Sequence, residues 1–170
     1  MNEKLDQKKA HRHREDLTGE HQAGDAGQVI LIIIFLVVWV SDTFILHYTT
    51  FLNLVIPALI RIPVGAIVLI LAGWLAKKSM GIVFGEPPEQ PGVIRKGPFN
   101  VVRHPVYLAE ILLYSGILLM SISLAAVVIW IVAIAFLNFV SRFEEKLLLE
   151  RFGEDYERYM EEVPMWIPRF

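Results

Sequence analysis

The residues best suited to chemistry stand in two short strings. Arg103, His104, Pro105 and Tyr107 open one apolar run, and Arg142, Glu144 and Glu145 follow directly on another. His104 and Tyr107 are three apart, which puts their side chains on one side of a helical turn. Pro105 suits the first turn of a helix, because the N–H it lacks would be unpaired there. The helix start it marks exposes backbone N–H groups and a positive dipole end, which attract anionic ligand groups. Glu144 and Glu145 supply the complement, a place for a cation or a base. Brought together at the edge of an apolar region, these groups would make a small-molecule site. The blander reading is a ring of interfacial Arg and Tyr anchors. Glu110 continues the Tyr107 face into the apolar run, where an ionisable group normally points into a bundle.

What is missing narrows the chemistry. The chain has no Cys, which excludes disulfides, thiolate zinc sites and a Cys nucleophile. It has no phosphate-binding loop, dinucleotide fingerprint, HExxH or nucleophile elbow. A net charge of −2 leaves no surplus of Lys and Arg for phosphates, so nucleic acid is not an expected partner. No metal site is expected either, since His11 and His13 read as part of a solvated tail. Nothing in the sequence implies a protein partner.

The elements that position the two strings follow from an uneven composition. Of 170 residues 55% are apolar and 20% charged, with mean hydropathy +0.50. Residues 29–140 hold only 6 of the 16 basic and 4 of the 18 acidic side chains, so that segment belongs in a bilayer. Residues 1–28 mix both charges with few large apolar groups and read as a disordered polar tail without a signal peptide. Gly24 and Gly27 fall in that tail and carry no expected structural role. The run Val29–Val40, extended by Phe44–Leu46, approaches the ~20 residues of a membrane helix. Asp42 would lie near its end, within reach of interfacial water. The second run, from Phe51 to Ala76, contains Pro57, Arg61 and Pro63, which predicts a break, then a helix from about Pro63, with Arg61 snorkelling outward or, as the second reading, buried and functional. Val106–Ile122 and Leu124–Phe139 follow so closely that they form an antiparallel hairpin.

Beyond Val140, Phe143, Leu147, Leu148, Phe152, Tyr156 and Tyr159 recur at helical spacing. One helix is expected from about Ser141 to Phe152, with a second restarting at Glu154 after Gly153 and stopped by Pro164. The fold class is therefore an all-α membrane protein with about four transmembrane helices and a cytoplasmic C-terminal helical cap. Its expected parts are a tail (1–28), a transmembrane domain (29–140) and a C-terminal segment completing the site (141–170). Residues 77–104 carry five Lys/Arg while the links near 47–53 and 121–123 carry none. By the positive-inside rule that stretch and both termini are cytoplasmic. The hairpin then brings Arg103, His104 and Tyr107 beside Arg142, Glu144 and Glu145.

Lys96–Ala109 (KGPFNVVRHPVYLA) resembles the GPxxxVRHPxYxG signature of a family of integral-membrane methyltransferases, the isoprenylcysteine carboxyl methyltransferases and related phospholipid methyltransferases. Glu144–Tyr159 resembles the family's EExxLxxxFGxxYxxY block, and Val163-Pro164 and Ile167-Pro168 fit its ending. The resemblance spans roughly 93–168. It implies S-adenosylmethionine held at the cytoplasmic boundary without a Rossmann domain, and a lipid or lipid-linked acceptor, either a prenylcysteine carboxylate or a phospholipid amine. His104, Pro105, Tyr107 and Glu145 would bind the cofactor, with Arg103 or the helix start receiving its carboxylate. Glu144 would act near the substrate, and Arg142 would be the nearest cation for a carboxylate acceptor.

The sequence departs from the pattern at Ala109, where Gly is usual. It departs again at Phe139 and Val140, where the carboxyl methyltransferases place a substrate-binding Arg. Arg142 stands only two residues before Glu144 and so points elsewhere on a helix, which argues against a prenylcysteine carboxylate. Membrane sterol reductases, which use NADPH, share an RHPxYxGE-like stretch that Glu110 matches; a non-catalytic four-span protein is the third reading.

Overall fold

Backbone placed in lipid must satisfy its own hydrogen bonds. The described residues of this computed structural model, 22–85 and 92–168, do so as helices, with no strand among them. Helix α1 (Gln22–Ser41) runs on through a π-helical turn (Asp42–Leu46) that ends at His47 in the left-handed region. A short 3-10 turn (Phe51–Leu54) precedes α2 (Ala58–Val83). A second 3-10 turn (Gly97–Asn100) leads into α3 (Pro105–Met120), then α4 (Leu124–Phe152) and α5 (Glu154–Glu162). Three helical stretches, Gly24–Leu46, Ala58–Val83 and Leu124–Phe152, are long and apolar enough to cross a membrane. The fourth, α3, is apolar but has only 16 residues. At ~1.5 Å per residue it reaches less far than the ~30 Å hydrocarbon layer.

The polar groups at the far end of α3 are met by protein. Met120 O accepts from the Arg61 guanidinium, Ser121 O from Trp39 Nε1 (2.9 Å), and Asn53 Oδ1 from the Ile122 N–H (2.9 Å). Arg61 is thus turned inward at 9% exposure, not snorkelled outward, and its Nε also donates to Ile56 O (2.8 Å). Its targets explain the direction: the last carbonyls of a helix lack internal partners and favour a cation. Asp42, expected near water, is likewise enclosed at 4% exposure. It accepts from the Thr49 N–H (3.1 Å), the Thr49 hydroxyl and the Ser123 hydroxyl (2.6 Å). Thr49 and Ser123 in turn cap α4, accepting from the N–H groups of Ala125 (3.0 Å) and Ala126 (3.2 Å). Asp42 therefore stands behind the positive end of α4.

Packing differs from a simple hairpin. Helix α3 packs most extensively on α2, and α4 on α1. Gly65 and Gly116 permit the first crossing: a Cβ on Gly65 would lie 2.8 Å from Gly116 O, and one on Gly116 2.7 Å from Leu69 Cδ2. Gly65→Ala should consequently lower the melting temperature, because overpacking costs about 1–3 kcal/mol. Helix propensity alone favours Ala by roughly 1 kcal/mol, so a raised melting temperature would contradict the close crossing. Between α1 and the α3–α4 pair, Phe35 meets the Tyr114 ring edge-on at 4.7 Å, within a core that includes Leu118, Ala126 and Ala133.

Three boundaries depart from expectation. Helix α1 starts at Gln22, so Gly24 and Gly27 belong to it; residues 1–21, with His11 and His13, lie outside the described residues. Helix α2 starts at Ala58 after an extended Pro57 (ψ 140) and contains Pro63 within its opening turns. Helix α4 passes without a break from the apolar run through Ser141 to Phe152. The chain then turns at Gly153 (φ 54, ψ −129), a conformation that favours glycine. Beyond it α5 folds back, burying Tyr156, Tyr159 and Val163 against Leu148, Leu149 and Val93.

Candidate active site

The two strings meet at the end of the bundle opposite the Asp42–Arg61 polar groups. The C-terminal segment fixes the first string through its backbone: the Arg103 N–H donates to Pro164 O (2.9 Å) and the His104 N–H to Met165 O (3.2 Å). Arg103 Nε donates to Glu145 Oε1 (2.7 Å), and its Nη1 to Met160 O (2.8 Å) and Val163 O (2.6 Å). One guanidinium thereby ties together the start of α3, the body of α4 and the end of α5. Tyr159 adds a second tie, donating to Phe99 O at 2.6 Å, with the Arg95 guanidinium 5.2 Å from its ring centroid. Burial pushes the Tyr159 hydroxyl up to about 12, so it remains a protonated donor across the neutral range.

His104 stands between the two carboxylates. Its Nε2 is 3.1 Å from Glu145 Oε1 and its Nδ1 3.6 Å from Glu144 Oε2. Its ring stacks on Tyr107 from the capping position just before α3 (centroids 5.6 Å, planes 8° apart). The Tyr107 hydroxyl donates to Glu144 Oε1. Tyr107, hydrogen-bonded to Glu144 and stacked on His104, thus forms one face with them, backed by the Arg103–Glu145 pair.

That face borders a cavity of about 560 Å³. Its lining comprises Asp25 and Gln28 of α1, Met80 and Val83 of α2 with Phe84, then Gly92 to Ile94, Phe99, Arg103 to Tyr107, Glu144, Leu148 and Phe152 of α4, and Tyr156 and Tyr159 of α5. The volume lies within the ~300–1,000 Å³ typical of small-molecule sites. The cavity also takes in the N-terminus of α3, whose dipole favours a carboxylate.

Arg103, His104, Pro105, Tyr107 and Glu144 are brought together around this space. Glu145 and Arg142 are not part of the wall. Glu145 is buried at 5% exposure behind it, with Oε1 engaged by Arg103 and His104. Arg142 is exposed and its Nε donates to Asn138 Oδ1 (3.0 Å). Two residues turn a helix by about 200°, which carries Arg142 away from the Glu144 face. Sequence reasoning missed Asp25 and Gln28 by assigning them to the tail. A usable signal was present, because Gly24, Gly27, Leu31 and Phe35 continue one helical face back from the apolar run.

A helical bundle with spans of this length, carrying a mixed polar and aromatic cavity at one end, defines an integral-membrane protein. Comparison with known families makes the class specific: the phospholipid methyltransferase family model matches residues 60–155. The match covers more than half of the chain, and the protein belongs to that family of membrane methyltransferases. It contains both Arg103–Tyr107 and Glu144–Glu145. Comparison with curated proteins and with solved structures returns no match.

Proposed function

We propose that the protein transfers a methyl group from S-adenosylmethionine to a lipid or lipid-linked acceptor at the cytoplasmic boundary of the membrane. The observation that carries this reading is the face of His104, Tyr107 and Glu144, joined by the Tyr107–Glu144 hydrogen bond and the His104–Tyr107 stack, on a cavity of suitable size. The residues suit that cofactor. It carries two cationic groups, a sulfonium and an α-ammonium, for which Glu144 and the ring faces of Tyr107, Phe99, Phe152 and Tyr156 are attractive partners. Its carboxylate suits the N-terminus of α3. When bound, the group supplies an electrophilic methyl.

The roles of the chain's own residues follow from their placement. Glu144, oriented by Tyr107 and His104, anchors the acceptor or takes its proton. Arg103 and Glu145 hold that face in register with α5, so that orientation is set before the acceptor arrives. Met80, Val83 and Phe84 form an apolar wall along which an acyl chain reaches the cavity from the lipid. The five Lys/Arg of residues 77–104 support a cytoplasmic position for the site, and residues 141–170 complete it.

Calorimetry of the detergent-purified chain with S-adenosylhomocysteine tests the reading. Saturable binding that NADPH does not compete away is the expected result. A folded protein that takes up no S-adenosylhomocysteine into the millimolar range, or that prefers NADPH, overturns it.

A further inference from the structure

One wall of the cavity comes from outside the family-matched segment. Asp25 lies in the first turn of α1 and Gln28 about one turn further on. Two glycines put them there. Gly24 is buried, and Gly27 lies so close to α4 that a Cβ would come within 2.3 Å of Phe136 Cζ. That contact fixes the approach of α1, leaving Asp25 and Gln28 at the cavity while Val29, Ile30 and Ile33, just beyond, are more than half exposed on the outer surface of the bundle.

The charge of the cavity is one-sided. Its acidic lining groups are Asp25 and Glu144; Arg103 donates to Glu145 and two carbonyls. Two carboxylates around one space fit more than one cationic group, on the methyl donor and on the acceptor. Position separates their tasks. Glu144 stands in the His104–Tyr107 face, whereas Asp25 stands at the top of a lipid-exposed apolar face. A lipid lying along Val29, Ile30 and Ile33 brings its head group to Asp25.

We infer that Asp25 is a specificity-determining residue, which admits lipid acceptors with a cationic head group and rejects anionic ones. The inference rests on the methyl-transfer reading for its functional meaning, but its binding consequences are separable. Like charges at a site oppose a wrong partner as strongly as opposite charges favour the right one.

The test compares dihexanoyl phosphatidylethanolamine with dihexanoyl phosphatidylglycerol, which share chains and phosphate and differ in the ammonium group. Binding of each to the full chain is measured by calorimetry, beside that of S-adenosylhomocysteine. Asp25→Asn should weaken ethanolamine-lipid binding by about tenfold and strengthen glycerol-lipid binding, leaving S-adenosylhomocysteine binding unchanged. Asp25→Lys should reverse the lipid preference. Equal losses for both lipids, no loss for either, or a loss of S-adenosylhomocysteine affinity would each overturn the inference, the last by assigning Asp25 to the donor. A wild-type chain that binds S-adenosylhomocysteine but prefers neither lipid overturns it and leaves the methyl-transfer reading standing. A chain that prefers the ethanolamine lipid but ignores S-adenosylhomocysteine does the reverse.

Discussion

Arg103→Ala should detach α5 from the bundle, lower the melting temperature substantially and remove S-adenosylhomocysteine binding. Its guanidinium makes hydrogen bonds to Glu145, Met160 O and Val163 O, and the Arg103–Glu145 pair is almost wholly buried, with side chains 10% and 7% exposed. Removing one partner of such a pair costs about 3–5 kcal/mol when the other charge is left alone, and here it leaves buried Glu145 with His104 as its remaining partner. Two carbonyls lose donors as well. The break is local in origin, because Gly153 already separates α5 from α4; what still holds α5 is Tyr159 to Phe99, Arg95 to Glu162 (2.6 Å) and Asp155 O (3.1 Å), the backbone bonds of Pro164 and Met165, and the packing of Tyr156, Tyr159 and Val163. Limited proteolysis should therefore cut near 153–163 in the variant much faster than in the wild type. Arg103→Lys should rescue only partly, since a single ammonium lacks the planar fork that reaches α4 and α5 at once. Glu145→Gln keeps an acceptor but loses the charge, and should fall between wild type and Arg103→Ala. In a double-mutant cycle the two positions should couple by more than ~0.5 kcal/mol, the limit of additivity for independent sites. A variant lacking Arg103 with wild-type melting and protease resistance would contradict this account.

Much of this arrangement was legible in the sequence because it is local. Pro105 marks the start of α3, Gly153 the break before α5, and the apolar runs the spans, each through the preferences of a few neighbouring residues. The convergence of residues 103–107 with 144 and 145 followed from chain reversal at Ser121–Ser123. What failed was non-local. Asp42 and Arg61 were assigned to water because the groups that draw them inward, the ends of α4 and α3, belong to distant segments. Gly27 and Gly65 carry no signal by themselves; their use depends on Phe136 and Gly116 across a helix contact. The change of composition at Val140 marked where α4 leaves the apolar region, not where the helix ends. The division of labour between Glu144 and Glu145 was also out of reach. Adjacent helical residues diverge by about 100°, and which of them faces the cavity depends on where Arg103 comes from.

That division gives the second large effect. Glu144→Gln should leave folding nearly unchanged and reduce methyl transfer to a lipid acceptor by roughly 10²–10⁴-fold, the usual range for a general base or acid. Glutamine preserves the shape and keeps an oxygen to accept from the Tyr107 hydroxyl, so the face with His104 persists. The charge is what disappears, and with it the group that holds a cationic acceptor or removes its proton. The loss should fall mainly on kcat, because the apolar wall and Asp25 still retain the lipid. Tyr107→Phe should be milder, about tenfold, since it loosens the orientation of Glu144 without neutralising it. Single-turnover kinetics with methyl-labelled cofactor, beside melting curves for each variant, reads both effects. The order is the decisive point. If Tyr107→Phe is the more damaging, the phenol and not the carboxylate acts on the acceptor; if Glu144→Gln keeps kcat within about twofold, the cavity face has been assigned to the wrong group.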